Sequence, residues 1–445
     1  MQKSIKHILC VCCALCGMLL LINGCAHHDK GFIENVVSTE TPDESAIAVT
    51  SEKSHPERMA VMDQTEKKSE AAPYLEQTEK LLGDEIAAVF RKYGTVGAQV
   101  AVIQDGIVLK DYSFGFADQK NKIAVHTNTK FRCASLSKLI TAMTAMAAQE
   151  TDQLDIQKDI GEYLGYSVRN PRFPNKPITC AMLMTHTSSI VDSAAFLDSR
   201  NADSAVALET LLSKKSTYTA AEPGKQYSYS NFGVAVLADV VECATGRSFD
   251  SVATELLFKP MGIDASYMAS NLQEPSFAAD LYDSDGRLSW SVQRQMQETQ
   301  SKKIGQTHHL YQGNLTISAT DYARLLCVLL NNGKADQKSI LHLESVQQII
   351  TPQYEAKDIT QGFCTKRLNR VVQGRTMWCQ TGVNYGAYTS FAMDPSDKSG
   401  VVVFTSGAKA KKDESELLDV CTEIIRLCYS KMIADCQMPS AMPDK

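Results

Sequence analysis

Hydrophobic positions along the first part of the folded chain follow two different periods. Between residues 74 and 93 they recur at intervals of three and four, which predicts an amphipathic helix over 74–93. Two strand-like runs follow at 98–103 and 107–114, and the sequence Q-D-G at 104–106 is typical of a tight hairpin turn. The pattern therefore predicts a helix followed by a β-hairpin.

The remainder of the chain changes from helical to strand-like patterns. Its middle is mostly helical, strand patterns return at 376–380, 387–393 and 401–405, and a final helix is predicted over 414–433. Strands at both ends of a helical centre predict an α+β fold. We expect one central antiparallel sheet, flanked by helices and interrupted by a helical insert.

Composition excludes several classes of protein. The chain has 445 residues, 22% of them charged and 44% hydrophobic, which is ordinary for a soluble globular protein. Its formal net charge is −6, and it has no long basic block. A nucleic-acid partner normally requires a basic surface, so we expect no nucleic-acid binding.

The first residues have the pattern of an export signal. Residues 1–24 contain two lysines and no acid, an apolar run spans 8–22, and Cys25 follows Asn-Gly. This arrangement resembles the bacterial lipobox, whose cysteine is lipidated after cleavage. The resemblance implies a signal peptide over 1–24 and attachment to a membrane through a lipid on Cys25. Simple cleavage near Ala26 and an uncleaved anchor are the alternatives.

The segment after Cys25 is polar. Residues 25–73 are rich in Ser, Thr, Glu, Asp and Lys, a composition that favours a disordered tether. We expect a folded domain over 74–436 and a short tail over 437–445. The predicted location is the bacterial cell envelope, at the outer membrane if the organism is Gram-negative.

The candidate metal ligands do not form a recognisable site. Nine of the fourteen cysteines lie after Cys25, and none of these nine forms a C-x-x-C pair. His308 and His309 are adjacent, and adjacent side chains in a loop rarely converge on one ion. We therefore expect no metal and no other cofactor. Cys133 and Cys379 flank the candidate site described next, and their sequence leaves open whether they pair.

A serine and a lysine have the spacing of a nucleophile and its base. Ser135 and Lys138 form an S-x-x-K pattern before an apolar, helix-compatible run. On a helix this spacing places both side chains on one face, so the lysine can accept the serine proton. The same spacing occurs at Ser406 and Lys409, which we interpret as a surface turn after a strand.

Two further elements supply groups that such chemistry needs. Tyr229 and Asn231 form a Y-x-N pattern in a polar loop, where the phenol could relay a proton and the amide could orient a substrate. The sequence Q-T-G at 380–382 is predicted to end a strand. The backbone N–H of Val383 could then join that of Ser135 in an oxyanion hole.

The order of these elements resembles that of the penicillin-recognising serine hydrolases: class C β-lactamases, low-molecular-weight DD-peptidases and related esterases. The resemblance extends over about 84–430. It includes three landmarks without catalytic duty, which are L-M-T-H-T-S-S-I at 183–190, F-K-P-M-G-I at 258–263 and N-L-T-I-S at 314–318. It implies the β-lactamase/transpeptidase-like fold.

The resemblance also implies roles for single residues. Ser135 corresponds to the acylated nucleophile, Lys138 to its base, Tyr229 to a second proton-transfer group and Asn231 to a substrate-orienting amide. The strand residues Gln380, Thr381, Gly382 and Val383 correspond to the substrate-binding motif. Gln380 departs from the family, which has Lys or His there, and this weakens the expectation of efficient β-lactam hydrolysis.

The function expected from the sequence is serine hydrolysis through an acyl-enzyme. The expected substrate is a small D-Ala-containing peptide or ester of the cell envelope, with peptidoglycan as one candidate source. A class C-like β-lactamase, a broad carboxylesterase and a non-catalytic protein that binds cell-wall fragments or β-lactams are the alternatives. His186 matches a landmark of the family and not a catalytic triad, and Arg132 is expected to be structural or to lie at the rim.

Overall fold

A nine-stranded antiparallel sheet forms the centre of the computed structural model, which describes residues 71–199, 206–298, 303–306 and 309–433. The strands are β1 (Gly97–Gln104), β2 (Ile107–Asp118), β3 (Ile123–Ala124), β4 (Tyr354–Ala356), β5 (Ile359–Gln361), β6 (Lys366–Leu368), β7 (Met377–Asn384), β8 (Ala387–Asp394) and β9 (Ser399–Ser406). Their spatial order is β4-β5-β6-β7-β8-β9-β1-β2-β3, so the earliest and latest strands meet where β1 pairs with β9. This confirms the predicted antiparallel sheet.

The described helices lie on both sides of this sheet. They are α1 (Ala71–Lys92), α2 (Ser137–Glu150), α3 (Ile160–Leu164), α4 (Cys180–Met184), α5 (Ala194–Ser199), α6 (Leu208–Leu212), α7 (Asn231–Thr245), α8 (Phe249–Ala253), α9 (Val292–Met296), α10 (Ala319–Leu330), α11 (Leu343–Ile349) and α12 (Asp419–Cys428). Helices α2 to α11 lie between β3 and β4 in the chain, as the predicted helical insert requires.

Both faces of the central strands are buried. In β1, Val100 and Val102 pack into the core formed with α1 and α12, whereas Ala101 and Ile103 pack into the larger core formed with α2, α7 and α10. Alternate residues of a strand point to opposite faces, so one apolar strand can serve both cores. The sheet is therefore the middle of three layers.

The β1–β2 hairpin forms where the sequence predicts it. Asp105 and Gly106 have φ angles of 52° and 75°, the positive values required by the two-residue turn that suits twisted strands. The turn joins β1 and β2 directly. Glycine adopts such angles without steric cost, and aspartate tolerates them better than most residues.

Two predicted boundaries were wrong. The strand expected to end near 380–382 continues through Asn384 as β7, because residues 378–384 all pair with β8. The final helix begins at Asp419 and not at 414, because Ser415 donates to Asp413 in a turn before it, and its last turn over Tyr429–Ile433 is wider than an α-helix.

The second S-x-x-K match is not a surface turn. Ser406 is the last residue of β9 and is fully buried. Its hydroxyl accepts a hydrogen bond from the backbone N–H of Tyr282 at 2.8 Å. The serine of this second match therefore joins the end of β9 to the segment that contains Tyr282.

The N-terminal predictions lie outside the described residues, apart from 71–73, which belong to α1 and not to a tether. The signal over 1–24, Cys25 and the tail over 437–445 are not described. Within the described ranges, none of the helices is both long and apolar enough to cross a membrane.

Candidate active site

Ser135 lies in a strained turn at the start of α2. It is the central residue of a short 3₁₀ turn, Ala134–Leu136, that leads directly into the helix. Ala134 has a φ of 50°, a conformation that costs an alanine about 1–2 kcal/mol. Ser137 stabilises the turn, since its hydroxyl donates to the Ala134 carbonyl at 2.6 Å and accepts from the Leu315 N–H at 3.1 Å.

The side-chain nitrogen of Lys138 is fixed against the serine hydroxyl. Its Nζ lies 2.9 Å from Ser135 Oγ and donates to the carbonyl of Gln312 at 2.7 Å. The side chain is fully buried, so water does not compete for these contacts. The S-x-x-K spacing thus produces the predicted contact, and the Gln312 carbonyl is a partner that the sequence did not indicate.

Tyr229 approaches Ser135 from the other side. Its phenol donates to Ser135 Oγ at 2.9 Å, while its ring lies 5.3 Å from Lys138 Nζ. The tyrosine precedes α7, whose N-terminus is capped by Ser230 through a 2.8 Å hydrogen bond from the Gly233 N–H. The cap fixes the direction in which the chain enters the helix, and so the position of Tyr229.

Asp192 organises this loop and was missed in the sequence. Its carboxylate accepts hydrogen bonds from the Asn231 amide at 2.6 Å, the Phe232 N–H at 2.8 Å and the Ser230 hydroxyl at 3.2 Å. A carboxylate is favoured at a helix N-terminus. Because it lies about 40 residues before its partners, no local pattern marks it. Asn231 is therefore held in place by Asp192.

Strand β7 passes very close to the nucleophile. A Cβ added to Gly382 would lie 2.8 Å from the Cys133 carbonyl and 2.9 Å from the backbone nitrogen of Ser135. Glycine is therefore required for this approach. The next residue, Val383, is 54% exposed and lines the space beside Ser135, whereas the Thr381 hydroxyl bonds within the sheet to Ser390 at 3.0 Å.

Gln380 uses both ends of its amide on the protein backbone. Its Nε2 donates to the Cys364 carbonyl at 3.3 Å, and its Oε1 accepts from the Thr381 N–H at 3.1 Å. The side chain is 8% exposed. The amide oxygen has a second lone pair that can accept a further hydrogen bond. A contact between Gln380 and a substrate therefore stays a prediction.

His186 lies behind Tyr229 and does not contact the serine. Its ring centroid is 4.6 Å from that of Tyr229, and its Nδ1 accepts from the Ser230 N–H at 3.3 Å. Burial, with the positive charges of Lys138 and Lys366, lowers the pKa of His186 to about 3. Its Nε2 has no hydrogen-bond partner within the described residues. The imidazole is therefore neutral and supports the tyrosine.

Two cavities, each of about 440 Å³, meet at Ser135. We call the first the aromatic cavity; its wall includes Trp290, Tyr385, Phe196, Arg132 and Glu298. We call the second the basic cavity; its wall includes Tyr227, Tyr229, Lys366, Lys412 and Glu416. Asn231 and Val383 line both. The serine is thus open to a substrate that extends in two directions.

The aromatic cavity contains a buried ion pair. Arg132 is 1% exposed and donates to Glu298 at 2.5 Å. Of the two expected positions, structural or at the rim, the buried structural one is observed. Trp290 and Tyr385 stack at 4.0 Å beside this pair. The two opposite charges compensate each other, which leaves the cavity without net charge from this pair.

The remaining candidates supply no metal site. Across the described ranges, no group of His, Cys, Asp and Glu side chains is arranged to hold a metal ion. His308 lies outside those ranges, while His309 stacks on Phe196 and contacts the Ser199 hydroxyl. Cys133 and Cys379 are free, buried thiols, and burial raises the pKa of Cys133 to about 12.

Comparison with known proteins identifies a family and related sequences. A family model described as beta-lactamase matches residues 73–420. The chain is 27% identical to a penicillin-binding protein of Bacillus subtilis strain 168, over 40% of this chain and 39% of that protein. It is 28% identical to a D-aminopeptidase of Brucella anthropi, over 41% of this chain and 34% of that protein. The chain thus spans well under half the length of these relatives.

The fold has solved counterparts. A class C β-lactamase from Rhodobacter sphaeroides superposes with a TM-score of 0.60 at 18% identity, over 80% of this chain and 99% of that one. This likeness shows the fold, and the family model covers more than three quarters of the sequence. The chain belongs to the β-lactamase family of serine hydrolases.

Proposed function

We propose that this protein is a serine hydrolase that cleaves amides or esters through an acyl-enzyme on Ser135. The observation that supports this most strongly is the position of Ser135 Oγ, which lies 2.9 Å from Lys138 Nζ and 2.9 Å from the Tyr229 phenol oxygen. A nucleophile requires a base within hydrogen-bond reach and a path for its proton to the leaving group. Both are in place.

In the proposed acylation, Lys138 reacts as the neutral amine: Ser135 Oγ forms a bond to the acyl carbon, and its proton passes to Lys138 Nζ. The bond from the acyl carbon to the leaving nitrogen or oxygen then breaks, and the leaving atom keeps the electron pair. Tyr229 transfers a proton to that atom and recovers one from Lys138. Water then attacks the acyl-enzyme with the same groups acting in reverse, which releases the acid and restores the serine.

The developing oxyanion requires donors on the far side of the acyl carbon. We assign this role to the backbone N–H groups of Ser135 and Val383, because Gly382 allows β7 to approach the serine closely. Such a donor typically contributes about 3 kcal/mol to the transition state.

The proposed substrate is a D-Ala-containing peptide or ester of the cell envelope. The names of two relatives, a penicillin-binding protein and a D-aminopeptidase, support a substrate of this class. The lipobox-like sequence before Cys25 supports a location on an envelope membrane through an N-terminal lipid. Gln380 supplies no charge where the family has Lys or His, which disfavours efficient β-lactam hydrolysis.

A panel of substrates tests the proposal. Wild type and Ser135→Ala are compared on a D-Ala-D-Ala peptide, a D-aminoacyl amide, a p-nitrophenyl ester and nitrocefin. We expect turnover of at least one peptide or ester, faster than that of nitrocefin and abolished by Ser135→Ala. Fast nitrocefin hydrolysis would favour a β-lactamase. A stable adduct without turnover of any substrate would favour a non-catalytic binding protein.

A further inference from the structure

The basic cavity lies on the side of Ser135 from which the leaving group departs. Tyr229, which we assign to protonate the leaving atom, lines the basic cavity and is absent from the wall of the aromatic cavity. A proton donor must face the atom that receives its proton. The acyl part of the substrate therefore occupies the aromatic cavity, and the leaving group occupies the basic cavity.

Positive charge predominates around the basic cavity. Lys366 and Lys412 both line it, together with one acid, Glu416. That carboxylate is shared, because Lys366 Nζ lies 3.2 Å from one of its oxygens and Arg370 lies 2.5 Å from the other. One carboxylate cannot neutralise two lysines and an arginine. The wall keeps a net positive charge that a substrate can use.

The charge of Glu416 is fixed by these neighbours. Its partial burial tends to raise its pKa, but Lys366 and Arg370 outweigh this effect and hold the pKa of Glu416 below its usual value. The acid is thus ionised at neutral pH, and the ion pair holds Lys366 at the wall.

Lys366 is close to the catalytic groups. It lies on β6 directly opposite Cys379, the residue before Gln380 on β7. Its ammonium approaches the ring of Tyr227 at 5.6 Å, and Tyr227 in turn lies edge-on to His186 at 5.8 Å. His186 supports Tyr229, so a continuous row of rings connects the lysine to the proton donor.

We propose that Lys366, assisted by Lys412, binds a carboxylate on the leaving group, so that the enzyme selects amides and esters whose leaving group is anionic. This inference rests on the proposed function. Gln380 supplies no positive charge. In this proposal the charge comes from Lys366 on β6, the strand next to β7, and from Lys412 in the loop before α12. The lysines act on specificity, and the bond-breaking steps remain those of Ser135, Lys138 and Tyr229.

The test uses two esters that differ in one charge. The 3-carboxyphenyl and 3-carbamoylphenyl esters of N-acetylglycine share an acyl group and have leaving groups of similar size. The measured quantity is kcat/KM for the anionic ester divided by kcat/KM for the neutral one. We expect a ratio of about ten or more for the wild type, since a hydrogen bond to a charged group contributes roughly 1.5–3 kcal/mol.

Matched variants identify the residue responsible. Lys366→Met is expected to bring the ratio close to one, and the ratio cancels any loss of kcat/KM that affects both esters equally. Lys412→Met is expected to lower the ratio severalfold, and Glu416→Gln to raise it. Lys366→Arg should keep a ratio above that of Lys366→Met. Lys334→Met is the control, because Lys334 is exposed and lines neither cavity.

The outcomes separate the two proposals. If wild type hydrolyses both esters through Ser135 but Lys366→Met keeps the wild-type ratio, this inference is overturned and the proposed function stands. If wild type hydrolyses neither ester and forms no adduct at Ser135, the proposed function fails and the inference fails with it.

Discussion

The phenol of Tyr229 donates a hydrogen bond to Ser135 Oγ at 2.9 Å, although 94 residues separate the two in the chain. The contact is possible because Tyr229 lies just before the capped start of α7, and Ser135 lies in the turn before α2. The turns before α2 and α7 thus bring the two side chains into direct contact.

Removal of this hydroxyl should slow acylation without unfolding the protein. We expect Tyr229→Phe to lower the acylation rate about 10²–10⁴-fold, because that is the usual contribution of a positioned proton-transfer group. The side chain is 40% exposed, so the melting temperature should change little.

The control for this variant is Tyr385→Phe. Tyr385 is 39% exposed and lines the aromatic cavity, where it stacks on Trp290. Stopped-flow acylation by the same ester should leave Tyr385→Phe close to wild type. Equal losses in both variants would show that the phenol of Tyr229 has no special role.

Replacement of Lys138 should abolish acylation while the fold is retained. Lys138→Met keeps most of the buried volume and removes the Ser135 contact, so we expect the acylation rate to fall more than about 10³-fold. The Gln312 carbonyl loses its donor, at a cost of about 1–3 kcal/mol.

Lys409→Met provides the matched control, since this lysine has the same spacing from Ser406. Its acylation rate should equal that of wild type. Rapid acylation of Lys138→Met would assign the base to another group.

A methyl group at Gly382 should separate β7 from the nucleophile. The added Cβ of Gly382→Ala would lie 2.5 Å from the Thr389 hydroxyl and within 3 Å of backbone atoms of Cys133 and Ser135. We expect the free energy of unfolding to fall by about 1–3 kcal/mol, and the acylation rate to fall at least about tenfold.

Gly83→Ala is the control for this substitution. Gly83 lies within α1, and its added Cβ would meet the Tyr112 ring at 3.5 Å, an ordinary contact distance. We therefore expect the free energy of unfolding to rise by about 0.5–1 kcal/mol and the acylation rate to stay unchanged. Urea unfolding and stopped-flow acylation measure both effects. An unchanged acylation rate in Gly382→Ala would contradict the idea that the close approach of β7 to Ser135 matters for catalysis.

His186 should make the fold sensitive to acid. In the unfolded chain histidine has a pKa of about 6.5, whereas burial lowers the pKa of His186 to about 3 in the folded protein. Below about pH 6.5 the unfolded chain takes up a proton that the folded chain does not. The contribution of His186 to stability is therefore complete above that pH and falls as the pH drops, by about 1.4 kcal/mol per pH unit.

The comparison of wild type with His186→Gln isolates this effect. The variant should be less stable at neutral pH and lose less stability between about pH 6.5 and about pH 4, because its side chain binds no proton. Urea unfolding at several pH values measures the difference. Parallel curves for the two proteins would contradict the assigned cause.

The sequence predicted those features that depend on local spacing. The S-x-x-K pattern placed Lys138 one helical turn from Ser135, and the Q-D-G turn placed β1 beside β2; both contacts are observed. The antiparallel sheet followed from apolar runs at both ends of the chain. The catalytic roles of the site residues remain predictions that the experiments above address.

Features that depend on distant segments could not be predicted. Asp192 meets Asn231 from 39 residues away, and Lys366 reaches the basic cavity only because β6 pairs with β7. The Gln312 carbonyl is a backbone group that no side-chain pattern marks. The extra length of β7 reflects its pairing with β8, which overrides the local turn signal of Gly382.

Covalent labelling at one residue tests the central claim most directly. The full chain is treated with a fluorophosphonate, and the modified peptide is located by mass spectrometry in wild type, Ser135→Ala and Ser406→Ala. We predict a single adduct on Ser135, lost in Ser135→Ala and retained in Ser406→Ala. An adduct that persists in Ser135→Ala, or a wild-type protein that is not labelled, would contradict a nucleophilic Ser135.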